Sequence, residues 1–221
     1  MNTAVDRKLV GQTVYESLRN DIVTGKLVPG GKLKLNELRT RYGASVNTLR
    51  ETLMRLVSDG FVLFEDQKGF RVNPVSTTDL EELVELRVTL ETLGLRKSMA
   101  NTQNLMDWKS RLLSAHYRLG CMEKLMMEDE TAHVQEWERA DREFHMTIVS
   151  HCGSKQLRRY HASVIELFMR YQVLALNKRP FRGQASIDDH QKLLDLIMND
   201  DQQGAESLLT AHIIAGRELP V

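Results

Sequence analysis

The apolar positions of this chain follow two regimes. Between Lys8 and Thr24, Val10, Val14, Leu18 and Ile22 stand at i, i+4, i+8 and i+12, a slowly drifting face of one helix. Gly25 and Pro29-Gly30 interrupt that pattern. A second, short helix is predicted over Leu35–Tyr42, and Gly43 opens a turn into a third. There Leu49, Leu53, Leu56 and Val57 share a face, Ser45 supplies the N-cap and Gly60 the residue just past the helix end. Phe61–Phe64 and Phe70–Val72 read as two strands, with Gln67, Lys68 and Gly69 near the turn, and Asn73-Pro74 closes the segment.

From Ser76 onward the pattern is helical almost throughout. Leu80, Leu83, Leu86, Leu90 and Leu93 are predicted to keep to one side of a long helix that starts near Thr77. Further helices are predicted over roughly 103–128, 130–151, 154–177, 185–199 and 202–217. Proline and glycine are nearly absent inside them, Gly94 and Gly120 excepted, and Pro180 and Gly183 mark a loop. The expected fold class is therefore mainly α: a winged helix-turn-helix over residues 1–74, then an antiparallel all-helical bundle over 75–221.

Composition narrows the setting. At 221 residues the chain suits one large domain or two small ones. No apolar run approaches the length of a membrane span, and the opening MNTAVDRKLVGQ lacks the apolar centre of a secretory signal. Cys121 and Cys152 have no metal-type spacing and suit free thiols in a reducing compartment, so the expected location is the cytoplasm, with no membrane partner. The overall charge of zero hides an asymmetry: residues 1–75 carry 12 Lys and Arg against 8 Asp and Glu, and the remainder 18 against 22. That sign fits an N-terminal segment that meets phosphate; an imbalance of this size also suits an ordinary solvated surface.

A helix followed by a hairpin with a basic tip is the order a winged helix needs to enter DNA. Leu49-Arg50-Glu51-Thr52-Leu53, then Leu56, Gly60, Phe61 and Val62, with Lys68-Gly69-Phe70-Arg71-Val72 as the wing, resembles the DNA-binding domain of the GntR family of bacterial transcriptional regulators. Val14, Leu18, Ile22, Gly25, Leu27, Pro29, Gly30 and Leu33 match that family's opening helix and turn, so the resemblance spans about the first third of the chain. It implies a double-stranded DNA operator contacted by Ser45, Asn47, Thr48 and Arg50 from the recognition helix and by Lys68, Gly69 and Arg71 from the wing. Many members carry arginine where this chain has Asn36 and Val46, a departure that bears on the operator sequence and leaves the apolar framework intact. Val46 can meet a thymine methyl and Asn47 can read adenine.

Four residues of the C-terminal part form a candidate constellation. Asp141 and His145, at i and i+4, point from one helix face; His190 and His212 lie on two later helices beside apolar residues. A carboxylate and three imidazoles from three helices can converge on a divalent cation, and this donor set suits Zn, Ni, Fe or Mn. Seven histidines also make an Asp/His pair easy to find by chance, so spacing alone decides nothing. The segment Asp141-x-x-Phe144-His145-x-x-Ile148, with His190 and His212 following in order, resembles the FCD effector domain of the FadR subfamily. That resemblance implies a divalent metal, zinc foremost, held by Asp141, His145, His190 and His212, beside a small carboxylate effector in the bundle centre. Arg87 matches the family's Arg-x-x-Leu-Glu segment and has two readings: a bidentate grip on the effector, or a structural salt bridge to Glu91 at i+4. His116, His133, His151 and His161 match no family position and are read as surface or packing.

The function this implies is a ligand-responsive transcriptional regulator and not an enzyme: a homodimeric repressor on a pseudo-palindromic operator, released by a small organic acid bound near the metal. His145–Ser154 is similar to the carbon-starvation-induced, glutarate-responsive repressors of the subfamily, which points to a small mono- or dicarboxylate. Two alternatives stand beside it: a sensor of the metal itself, and a metal-dependent hydrolase built on the same four residues, for which no separate general base or glycine-rich substrate loop is visible.

Overall fold

The computed structural model describes residues 3–178 and 180–217, with side chains from residue 11 onward. The chain divides into two compact units, residues 1–76 and 77–221, the division falling where the first long helix of the second unit begins.

The first unit contains α1 (Thr3–Val23), β1 (Lys32–Leu33), α2 (Leu35–Tyr42), α3 (Val46–Ser58), β2 (Val62–Glu65) and β3 (Gly69–Val72). Val14, Leu18 and Ile22 of α1 are buried against Leu49, Leu53 and Leu56 of α3; the side chain of Val10, placed on the same stripe by the sequence, lies outside the described residues. Ser45 caps α3 by accepting from the Thr48 N–H at 3.2 Å. At the other end Gly60 takes a positive φ of 84°, which lets Phe61 N–H reach back to the Leu56 carbonyl at 2.9 Å and turns the chain into β2. The sheet order is β1-β3-β2, all antiparallel, with Phe64 opposite Phe70 and Leu33 opposite Phe70 on its other side. β1 is too short for any alternation to announce it in the sequence.

The second unit is helical: α4 (Thr77–Ala100), α5 (Leu105–Glu128), α6 (Glu130–Val149), α7 (Lys155–Ala175), α8 (Gln184–Met198) and α9 (Gln202–Ala215). The boundaries of α5 to α9 lie within two residues of the ranges expected from sequence. Side-chain caps explain much of that legibility: Asp129, Ser154 and Asp201 each accept a backbone N–H in the first turn of α6, α7 and α9. α4 packs on α6, α7 and α9, α5 on α6 and α8, and α8 on α9. The core runs through Leu80, Trp108, Phe144, Ile165, Leu193 and Leu209.

One expectation is corrected. Leu80 and Leu83 are buried, but Leu86 is 49% and Leu93 40% exposed. The inward face of α4 continues instead through Arg87, Glu91, Leu95 and Ser98. Two charged residues occupy core positions, so the leucine stripe and the buried stripe diverge.

Gly94 allows α4 and α6 to approach closely: a Cβ there would lie 2.5 Å from Val149 Cγ1. Gly94→Ala gains roughly 1 kcal/mol of helix propensity, yet overpacking costs about 1–3 kcal/mol. A net loss of stability is expected in urea denaturation, with part of it recovered by adding Val149→Ala. A more stable Gly94→Ala protein would contradict the close approach.

Candidate functional site

Five helices of the second unit contribute to one centre. α6 carries Asp141 and His145 one turn apart, on the side that also buries Phe144 and Ile148. α8 brings in His190 beside buried Leu193 and Leu194, and α9 brings in His212 between Leu209 and Ile213. α4 and α5 supply Glu91 and Glu123, carboxylates at 0% and 1% exposure.

The arrangement is ordered by those carboxylates. His145 Nδ1–H donates to Glu91 Oε1. His190 Nδ1–H donates to Glu123 Oε1 at 2.8 Å, and His212 Nδ1–H to Asp189 Oδ2 at 3.2 Å. A neutral ring that keeps its proton on Nδ1 presents a lone pair at Nε2. His145 Nε2 is buried and has no hydrogen-bond partner among the described residues. His190 Nε2 and His212 Nε2 face each other at 3.2 Å. Two lone pairs at that distance repel unless a cation lies between them; two nitrogens bound to one zinc at about 2.0–2.1 Å sit roughly 3 Å apart. The three histidines together bring their ligating atoms within 4.8 Å of one another. Asp141 Oδ1 stands beside them, 3.6 Å from His190 Nε2. The donor chemistry, the orphaned Nε2 and the carboxylate behind each ring all fit a divalent metal.

The electrostatics agree. Burial pushes the His145 imidazole down to about 4 and the His212 imidazole down to about 3, so both are neutral, the form that ligates. Burial alone would raise Glu91; the neighbouring His145, the Arg87 charge and the hydrogen bonds from His145 and His161 outweigh it and hold this carboxyl well below its usual range. Asp189 is likewise held down, chiefly by the hydrogen bond from His212.

Arg87 makes the salt bridge to Glu91 at i+4 that one of its two sequence readings expects. Its Nε donates to Glu91 Oε2 at 3.0 Å, and its guanidinium lies over the Phe168 ring, 4.5 Å from the centroid. Its Nη2 is buried without a hydrogen-bond partner among the described residues. Arg87, Asp141 and His212 line one cavity of about 30 Å³ with Trp137, Phe168 and Arg182.

Sequence reasoning passed over Glu123, His161 and Asp189. His161, read as surface or packing, is buried and donates from Nε2 to Glu91 Oε2 at 3.1 Å. Glu123 had a readable signal: it falls on the apolar stripe Leu112, Ala115, Leu119, Met126 of α5, where an unpaired charge would be costly. His151 stacks on Trp108 at 5.7 Å and is structural.

In the first unit, Arg50 on α3 and Lys68 and Gly69 on the wing line one groove, with Lys32 and Lys34 beside them. Asn47 is exposed near the start of α3. Ser45 and Thr48 share a hydrogen bond at 2.9 Å while capping the helix, so both hydroxyls lie at its N-terminus. Lys68 pairs with Glu65 at the wing. Arg71 is directed back to the Gly30 carbonyl, tying the wing to the turn before β1.

A three-helix unit with a wing and a cationic groove along its third helix, followed by a helical bundle with a buried polar centre, defines a DNA-binding regulator. The chain belongs to the GntR family: residues 10–72 match the bacterial regulatory proteins of that family, and residues 82–215 match the FCD domain. It is similar to the uncharacterized HTH-type transcriptional regulator BphR of Paraburkholderia xenovorans (strain LB400), 34% identical over 94% of this chain and 83% of that one. It is 28% identical, over 90% of both chains, to the HTH-type transcriptional repressor GlaR of Escherichia coli (strain K12). The solved structure of E. coli McbR/YncC shares the fold, with a TM-score of 0.75 at 20% identity over 93% of this chain and 94% of that one. This protein is a DNA-binding transcriptional regulator.

His190→Ala removes one of the three imidazoles and leaves Glu123 buried without its donor. Zinc affinity in isothermal titration is expected to fall by more than the ~10–100-fold that loss of an outer-shell partner costs. Metal-free stability should drop by about 1–3 kcal/mol. Unchanged zinc affinity would remove the triad as a metal site.

Proposed function

We propose that this protein is a homodimeric, cytoplasmic repressor that leaves its operator when a small carboxylic acid binds in the C-terminal bundle. The observation that carries this reading is the cavity lined by His212, Asp141 and Arg87, an arginine whose buried Nη2 has no hydrogen-bond partner among the described residues. His145, His190, His212 and Asp141 would hold a divalent cation, zinc first, with Ni, Fe or Mn as alternatives. When bound, that cation supplies a fixed positive charge for a carboxylate. Arg87 supplies the second handle, held in orientation by Glu91 and Phe168, so little side-chain entropy is lost when it binds. The cavity's small size favours a compact acid, or requires lining side chains such as Phe181 and Arg182 to give way.

On the DNA side, Arg50, Asn47 and the N-terminus of α3 would face bases and phosphates, with Lys68 and Gly69 following the backbone. Exposed Leu86 and Leu93 on α4 offer apolar surface to a second copy, which a palindromic site requires. No described helix is long and apolar enough to cross a membrane. Release from DNA follows only if the acid binds the off-DNA arrangement more tightly; equal affinity shifts nothing. The relatives' names are those of regulators, and nothing favours the hydrolase reading.

Two experiments test this. In a thermal-shift screen of small carboxylic acids, with and without zinc, one acid is expected to raise the melting temperature of the wild type only with metal, and to lose its effect in His212→Ala. A large shift from metal alone, with every acid silent, would favour a metal sensor. Separately, Arg50→Ala should weaken operator binding about tenfold and reduce the salt dependence by about one phosphate contact. It should leave acid-induced stabilisation intact. Unchanged DNA affinity would remove Arg50 from the interface.

A further inference from the structure

Glu91 accepts from three side chains and stands between the two candidate ligand groups. One oxygen, Oε1, accepts from His145 Nδ1; the other, Oε2, accepts from Arg87 Nε at 3.0 Å and from His161 Nε2 at 3.1 Å. Its side chain is wholly buried. His145 turns its unpartnered Nε2 toward His190 and His212, while Arg87 keeps a buried Nη2 with no hydrogen-bond partner among the described residues. Thus a single carboxylate touches a cation donor through one oxygen and an anion donor through the other. The other two carboxylates behind the triad differ. Glu123 holds His190, Asp189 holds His212 and Arg182, and neither is bonded to Arg87.

We propose that Glu91 is a positioning residue that couples cation binding at the three histidines to carboxylate binding at Arg87, so that each ligand strengthens the other through this one side chain. The proposal rests on the reading of the bundle as a metal-assisted acid site. The physical route is polarisation. When His145 Nε2 shares its lone pair with a cation, the ring's Nδ1–H becomes a stronger donor and draws the Glu91 charge toward Oε1. Oε2 then neutralises Arg87 less, and the free side of the guanidinium attracts an outside carboxylate more strongly. An acid on Arg87 returns the effect: it competes with Oε2 for the guanidinium and leaves more carboxylate charge for His145. Linkage requires the two factors to be equal. Both interactions are buried, where such charge shifts are weakly screened.

The test uses the full-length protein and Co2+, whose visible absorption reports coordination directly. Co2+ affinity is measured alone and with acetate, succinate or benzoate present, in wild type, Glu91→Gln and Glu123→Gln. In wild type, at least one of these acids is expected to tighten Co2+ binding by about tenfold. Glu123→Gln should weaken Co2+ roughly 10–100-fold, as loss of an outer-shell partner does, and keep the tenfold coupling, because Glu123 has no bond to Arg87. Glu91→Gln should weaken Co2+ to a similar extent and cut the coupling factor well below its wild-type value, leaving only the share due to direct attraction between cation and acid. Coupling undiminished in Glu91→Gln would overturn the role of Glu91 and leave the acid site standing. Should no acid affect Co2+ binding in wild type, the acid site itself fails and the coupling with it. If Glu91→Gln does not give a cooperative melt, His161→Leu decides. With that Oε2 donor gone, Arg87 is neutralised more firmly, so coupling should shrink; unchanged coupling would contradict the proposal.

Discussion

A carboxylate buried in a helical bundle must be given partners or it will not stay ionised, and this requirement organises the effector unit. Glu91 and Glu123 lie far from water, and each is satisfied by an imidazole from another helix. Meeting that need fixes the tautomer of the histidine that does it. A ring that donates from Nδ1 presents Nε2 on its opposite side, and three rings satisfied in this way present three lone pairs to one another. The inward-facing donors are thus a consequence of how buried negative charge is neutralised.

The bundle supplies the distances. His145 and Asp141 share a helix face, but the other members come from α4, α5, α8 and α9, so the centre exists only when those helices cross at their observed spacing. Gly94 allows α4 to lie close against α6, the helix that bears His145, and puts Glu91 of α4 within reach of that ring. The same helix carries Arg87, one turn earlier, with its guanidinium on Phe168 of α7. α4 therefore bears both Arg87, proposed to face an acid, and Glu91, which orients the His145 ring proposed as a metal donor. It is also the helix that begins where the DNA-binding unit ends.

Much of this was legible in the sequence, for identifiable reasons. The helices of the second unit are long, nearly free of Gly and Pro, and several are capped by Asp or Ser, so their ends were visible. Asp141 and His145 announced themselves by a local spacing. His190 and His212 stood out only as histidines beside apolar residues, and the resemblance gave weight to their joining Asp141 and His145, because no local pattern links residues on different helices. Glu91 stands 54 residues from His145 and Glu123 67 from His190, and pairings of that kind are set by tertiary packing. The leucines of α4 misled for a related reason: Leu86 and Leu93 suggested the buried face, whereas the charged pair Arg87 and Glu91 took the core positions. In the first unit the recognition helix and wing were readable from Ser45, Gly60 and the basic turn, while the two-residue β1 was not.

The central claim is that carboxylates on Nδ1 leave three Nε2 lone pairs directed at a shared cation position. Nitrogen-15 NMR of the imidazoles, recorded before and after adding zinc, tests it most directly. The account predicts that His145 and His212 are neutral without metal, that all three rings carry a proton on Nδ1, and that the Nε2 signals of all three shift together at one equivalent of zinc. Protonation on Nε2 in the metal-free protein, or Nε2 signals indifferent to zinc, would contradict it.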